Sequence, residues 1–333
     1  MPPIVGYHAS HEQFPPSELL TLVKRADEAG FDAGMNSDHF HPWTEAQGQS
    51  GFAWSFMGAA LAVTKLKSFG VVNAPGQRYH PAIIAQAAAT LTAMYPGRFW
   101  AALGTGEASN EHITGAVWPR KDVRNARLRE CVDVMRGLFA GEEVSHDGLV
   151  NVDRARLWTR PEVPPPLLAA AVSPATAAWA ADWADGLATV LQPHGDLTKV
   201  IEAYRGAGGK GPIALQVHLS YDADEEQALT IAHDQWRSNI FSPTVNWNLD
   251  HVDLFDEASK HVPRDAMRGP VLVSSDPDQH VAWLQELVHL GFDEVYLHHV
   301  GKEQRTWLEV FGERVLPQLD VTAKARTDEG AAA

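Results

Sequence analysis

Short apolar runs and longer runs of helical spacing take turns along this chain, and few folds accommodate that rhythm. The strand-like runs cover residues 4–9, 31–37, 69–74, 98–103, 167–172, 186–191, 213–221, 271–274 and 294–299. Between them lie helix candidates. The segment 16–29 places Leu19, Leu22, Val23 and Ala26 on one face, with Ser17 as candidate N-cap and Gly30 just past its end. The segment 81–94 opens on Pro81, which suits a first helical turn.

Runs such as Leu167-Leu168-Ala169-Ala170-Ala171-Val172 have no polar face. They fit a parallel sheet covered by helices on both sides, not a half-exposed antiparallel one. Eight βα units of this kind close into a (β/α)8 TIM barrel, and the chain supplies eight or nine. An open doubly wound sheet is the alternative, but no Gly-x-Gly-x-x-Gly turn follows the first strand. The rhythm breaks twice. After the fourth strand, residues 143–157 read as a hairpin turning at Asp147 and Gly148. After the seventh, residues 238–270 are irregular and carry Trp247 and Phe255, so they read as a lid or wall. Both are read as insertions into one domain over residues 1–320, followed by a flexible tail over 321–333.

Charge and cysteine content narrow the function. The 27 basic and 42 acidic residues give a net charge of −15, which disfavours a nucleic-acid surface. The single cysteine, Cys131, allows no internal disulfide and points to a reducing, cytoplasmic setting. No apolar run reaches the length of a membrane span, and the first residues do not resemble a signal peptide.

In a TIM barrel the chemistry sits where strands end at their C-termini. After the first strand come His8, Ser10 and His11. After the second comes Ser37-Asp38-His39-Phe40-His41-Pro42-Trp43. The third ends at Asn73, and the fourth is followed by Gly104-Thr105-Gly106-Glu107-Ala108-Ser109-Asn110. The fifth is followed by Ser173 and Pro174, the sixth by His194, and the last ends on His298 and His299. Imidazoles, carboxylates and small residues of this kind suit acid–base chemistry over a bound ring. His39 and Glu107 form the leading pair: a His that takes a proton near neutrality and a Glu whose pKa a dry pocket would raise. Trp43 is suited to pack over a planar or charged species. Each also has a plainer reading: His39 as a structural hydrogen-bonder, Glu107 as a helix cap, Trp43 as core. Ser173 is equally an ordinary helix cap or a phosphate contact. Sixteen histidines invite a metal site, yet none has the ligand spacing of one, so no metal is expected.

The segments GYHASHEQF, SDHFHPW, RYHPAIIAQAAATL and GTGEASNE, with SSDPD at 274–278, resemble the luciferase-like flavin and deazaflavin oxidoreductases. Within that family they are most similar to the coenzyme F420-dependent glucose-6-phosphate dehydrogenases. The resemblance implies a hydride transfer from a carbinol carbon to the deazaflavin and a homodimer. It implies His39 as base, Trp43 as stabilising aromatic and Glu107 as acid. Asp38, Val71, Val72, Asn73, Gly106, Asn110, Ala171, Val172 and Ser173 would then lie along the cofactor, with a non-proline cis peptide near Val71 and Val72. His8, Ser10, His194 and His298 would line the substrate pocket. The family's Gly-Gly after strand five is here Ala171-Val172-Ser173, which keeps FMN, in a monooxygenase or reductase, as the alternative. Its sugar-phosphate lysines fall near Pro193-His194 and near Arg268-Gly269. An alcohol or sugar other than glucose 6-phosphate is therefore the expected substrate.

Overall fold

A computed structural model describes residues 3–319 of the chain; the tail expected over 321–333 lies outside them. Eleven strands occur among these residues: β1 (Ile4–Ala9), β2 (Ala33–Ser37), β3 (Ser68–Asn73), β4 (Phe99–Leu103), β5 (Val144–Asp147), β6 (Asn151–Ala155), β7 (Leu167–Ala170), β8 (Gly186–Val190), β9 (Ile213–Tyr221), β10 (Leu272–Ser274) and β11 (Glu294–His299). Eight of them form a closed parallel ring in the order β1-β2-β3-β4-β7-β8-β9-β11, and β11 returns to β1. This is the TIM barrel that the alternation of runs implies.

The ninth candidate strand, β10, is not a stave of the ring. β8 pairs with β9 only as far as Gln216, which leaves the upper edge of β9 unpaired on that side. β10 takes up that edge at Leu219–Tyr221. Hairpin β5–β6 is the antiparallel excursion expected around Asp147 and Gly148.

Helices α1 (Pro16–Glu28), α2 (Ala53–Val63), α3 (Pro81–Met94), α4 (Ala108–Glu111), α5 (Lys121–Ala140), α6 (Pro174–Ala180), α7 (His194–Gly206), α8 (Glu225–Trp236), α9 (Pro243–Asn246), α10 (Val252–Ser259), α11 (Pro277–His289) and α12 (Gln304–Val310) connect the strands. In α1, Leu19, Leu22, Val23 and Ala26 are buried at i, i+3, i+4 and i+7. Ser17 does not cap it: Pro15 occupies the N-cap and Pro16 opens the helix. Gly30 takes the left-handed φ of +98° beyond its end, as its sequence position implies. The closing helix is shorter than its pattern suggests. Its regular part ends at Val310, a π turn follows, and Pro317 sits in a final 3-10 turn.

The ring is filled from below. Tyr296 and Trp100 lie inside it against Ala33, Met35, Ala102 and Leu168. Their rings occupy the space a Cβ would need at Gly6 and Gly70, so those two glycines make room for the plug. The buried strand residues His8, Asn36, Asn73, His298 and His299 lie toward the opposite, C-terminal end. The expected cis bond near Val71 and Val72 is absent, since all peptide bonds among the described residues are trans. Both valines pair in unbroken register, Val71 with Ala101 and Val72 with Ala102, so β3 has no bulge there.

Candidate active site

At the C-terminal mouth of the barrel His39 lies between two carboxylates. Its Nδ1 is 2.8 Å from Glu12 Oε1 and its Nε2 is 3.6 Å from Glu107 Oε2. Glu12 belongs to the loop after β1, and Ser10 Oγ donates to its other oxygen at 2.8 Å. Burial opposes a charged imidazole, but the Glu12 carboxylate outweighs it and raises the His39 pKa to about 9. Glu12 answers in the opposite sense: burial alone would raise it, and His39 instead pulls it down to about 2. Burial, with help from the Glu12 charge, raises the pKa of Glu107. His39 is thus an imidazolium at neutral pH, where the sequence suggests a ring titrating near 7; the cause is a carboxylate 2.8 Å away.

Trp43 packs edge-on to His39 with ring centroids 5.2 Å apart, and Phe255 packs edge-on to Trp43 at 5.3 Å. Phe255 comes from α10, inside the irregular 238–270 segment. That segment also accepts a hydrogen bond from Ala108 N through Trp247 O, and from Glu45 N through Asp256 Oδ2. It is therefore a wall built onto the loops after β2 and β4.

Asn110 ties those loops together. Its Oδ1 accepts from Phe40 N at 2.8 Å, and its Nδ2 donates to Glu107 Oε2 at 3.1 Å. Glu107 occupies the N-cap position of α4, but its side chain makes no capping bond, so the plainer reading of it does not apply. Gly106 just before it has φ +82°, a conformation that favours glycine. Asp38 faces inward. Trp54 Nε1, Asn73 Nδ2 and Tyr79 OH all donate to its carboxylate, which is buried. Three protein donors thus hold it in place.

His8 and His298 lie deeper, stacked at 4.4 Å. Gln216 Nε2 lies 3.3 Å from His298 Nδ1 and 3.2 Å from His218 Nε2, and Gln13 Oε1 lies 3.2 Å from His298 Nε2. Burial lowers the pKa of His8 to about 4 and of His218 to about 3, so these rings are neutral. His194 is not brought to this group. It starts α7, is half exposed, and points to Glu286 of α11 at 4.0 Å, because the turn after β8 directs it outward. Ser173 caps α6: its hydroxyl accepts from Thr176 N and shares a 2.9 Å contact with Thr176 Oγ1. Ala171 is buried beside β8, and Val172 lies at the barrel mouth next to it.

Several buried polar atoms around this mouth have no hydrogen-bond partner: His8 Nδ1, Asn36 Oδ1, Asn73 Oδ1 and Thr44 Oγ1. An orphan of this kind costs about 1–3 kcal/mol, and those at the mouth are open to pairing with a polar ligand. Among the described residues no group of His, Cys, Asp or Glu is placed to hold a metal ion. Strand-end reasoning reaches His8, Ser10 and His11 and stops one residue short of Glu12. It also misses Gln13, Arg78, Gln216 and His218. Alternation along β9 puts Gln216 and His218 on one face, and that signal is present in the sequence.

A family model for luciferase-like monooxygenases matches residues 3–294. The chain is 34% identical to an F420-dependent glucose-6-phosphate dehydrogenase of Nakamurella multipartita, over 96% of this chain and 97% of that one. It is 36% identical to another, from Kribbella flavida, over 95% and 98%. Among solved structures it resembles an F420-dependent secondary alcohol dehydrogenase in complex with an F420-acetone adduct. The TM-score is 0.88 and the identity 30%, over 95% of this chain and 99% of that one. The F420-dependent tetrahydromethanopterin reductase of Methanopyrus kandleri shares the fold, with a TM-score of 0.76 and 21% identity over 96% and 100%. Barrel, strand-end residues and relatives agree that this chain belongs to the luciferase-like monooxygenase family.

Proposed function

We infer that the chain is a coenzyme F420-dependent oxidoreductase that moves a hydride between the carbinol carbon of an uncharged alcohol or sugar and the deazaflavin. The observation that carries this reading is His39 held between Glu12 and Glu107 beneath Trp43. When bound, the deazaflavin supplies the hydride-accepting and hydride-returning carbon. The remaining work belongs to the chain. As an imidazolium, His39 donates a proton to a carbonyl oxygen that is being reduced; neutral, it takes the proton of an alcohol that is being oxidised. Glu107, with its raised pKa, exchanges a proton with the cofactor ring. Trp43 shields the His39 charge from water. Asn73, Gly106, Asn110 and the 171–173 turn would hold the cofactor, and the unpartnered Oδ1 of Asn73 fits a donor on it.

An uncharged substrate is favoured by the cations nearby, which are already engaged. Arg78 is taken up by Asp38 and Glu111, Arg268 by Glu225 at 2.9 Å, and Lys302 by the carbonyls of Ala46 and Gln47. The deeper rings of His8, His218 and His298 are neutral. FMN, the alternative cofactor, draws its support from Ser173, whose hydroxyl is committed to capping α6. The test is to titrate the purified chain with each cofactor by fluorescence, then assay propan-2-ol, glucose and glucose 6-phosphate. Binding of FMN without coenzyme F420, or a preference for glucose 6-phosphate, would overturn the reading.

Residues 1–320 are read as one domain, the setting as cytoplasmic, and the working form as a homodimer. Neither α2 nor α3 carries a charged residue, yet Val63, Ile83 and Met94 are exposed on them. Two copies with a net charge of −15 each repel, so an uncharged helical face is where they can meet. Sedimentation of Ile83→Glu and Met94→Glu variants tests this, and an unchanged dimer or a monomeric parent chain would count against it.

A further inference from the structure

Arg78 lies in the loop after β3, away from any strand end, and its side chain is only 6% exposed. Its guanidinium donates to Asp38 O at 2.5 Å. That oxygen belongs to the peptide bond leading into His39. The same guanidinium approaches Glu111 Oε1 at 3.6 Å through Nε, and Arg78 N donates to Glu111 Oε2 at 2.7 Å. Glu111 ends the short helix that Glu107 begins, and Glu111 N donates to Glu107 O at 3.1 Å. One buried side chain therefore touches the bases of both elements that carry the His39–Glu107 pair. Nε of Arg78 and Oε1 of Glu111 face each other just beyond hydrogen-bond reach, and neither has another hydrogen-bond partner.

We propose that Arg78 is a positioning residue that clamps the loop carrying His39 to the helix carrying Glu107 and so sets the distance between the two. This rests on the reading of His39 and Glu107 as the proton-transfer pair. The groups facing Arg78 are the carboxylates of Asp38 and Glu111, the Tyr79 ring 4.5 Å below it, and, further off, His39, His41 and Glu107. Arg127 approaches from α5 through Gln77. The clamp is also a charge. It acts against the imidazolium of His39 and in favour of the carboxylate of Glu107, so its loss moves both titrations upward. Lysine keeps the charge but not the fork that reaches two partners at once.

The experiment follows the His39 ring by NMR titration of the full chain, without cofactor, in Arg78→Gln and Arg78→Lys. Turnover of propan-2-ol with coenzyme F420 is measured alongside. In Arg78→Gln the His39 midpoint should rise, because a nearby like charge is removed, and turnover should fall about tenfold or more. In Arg78→Lys the midpoint should stay near that of the parent while turnover still falls. If Arg78→Gln fails to fold, Glu111→Gln loosens the same clamp with little change of shape. It should reduce turnover while leaving coenzyme F420 affinity nearly intact. A folded Arg78→Gln chain with unchanged midpoint and turnover, or one that only melts earlier, overturns the proposal. The titration needs no substrate, so it tests the contact between Arg78 and His39 even where the proposed reaction fails, while turnover of Arg78→Lys tests the fork.

Discussion

Two groups of histidines share the mouth of this barrel and carry opposite charge states. His39 sits between Glu12 and Glu107 and holds its proton up to about pH 9. His298 sits among Gln13, Gln216, His8 and His218, and burial keeps it neutral far below its ordinary value. Both rings are well shielded from water, so burial alone does not separate them. The difference is between carboxylate neighbours and amide neighbours. An amide can satisfy an imidazole nitrogen without offering it a charge, whereas a carboxylate 2.8 Å away offers both. The chain thus sets a charged histidine above a neutral set packed deeper in the barrel.

The widest break in this contrast is His39→Ala. Alcohol oxidation and carbonyl reduction should each fall by roughly 10²–10⁴-fold, the range for a lost acid–base group, with cofactor affinity nearly intact. A normal rate in steady-state assays would remove His39 from the reaction. Glu107→Gln should cost about 10²-fold, at the lower end of that range, and should also lower the His39 titration midpoint. Glu12→Gln tests the source of the charge. In the parent chain, oxidation needs the neutral ring and should rise as pH passes 9, while reduction needs the imidazolium and should decline there. With the Glu12 charge gone, both limbs should move to lower pH. Reduction at pH 8 should then drop by about tenfold for every pH unit that its limb moves below that point. A pH profile that does not move would assign the charge to another group. The smallest effect on rate is expected from Gln216→Glu, which converts the amide set into a carboxylate set. Its readout is the His298 ring by NMR, whose midpoint should climb by about 1–3 pH units. If that ring stays neutral, burial outweighs the partner, and carboxylate against amide is too simple a division of the two groups.

Much of this is legible in the sequence. The alternation of runs is enough for the closed ring, because few other arrangements bury apolar strands on both faces. His39 and Glu107 are legible as candidates because each lies within four residues of a strand's C-terminal end. Arg78 and Glu111 are not, since they act across loops whose path no periodicity fixes. The partners of Asp38 are hidden for a related reason: Trp54, Asn73 and Tyr79, which donate to its carboxylate, come from distant parts of the chain. His194 shows the same limit in reverse. It follows a strand, yet the turn sends it outward to Glu286. Strand ends tell where a side chain begins; the charge and direction it acquires come from partners far along the chain.

Asn110 adds an asymmetry to the pair above it. Its Oδ1 is claimed by the N–H groups of Phe40 and His41, so the amide hydrogens must face Glu107. Oε2 of Glu107 is thereby fixed as a receiving atom, and His39 Nε2 lies on the same oxygen's side at 3.6 Å. A hydrogen carried by this carboxyl is favoured on Oε1, the oxygen that Asn110 leaves free. A ligand whose basic atom approaches Oε1 is then better placed to take that hydrogen than one that approaches Oε2, so a single amide biases the direction from which a molecule arrives to react.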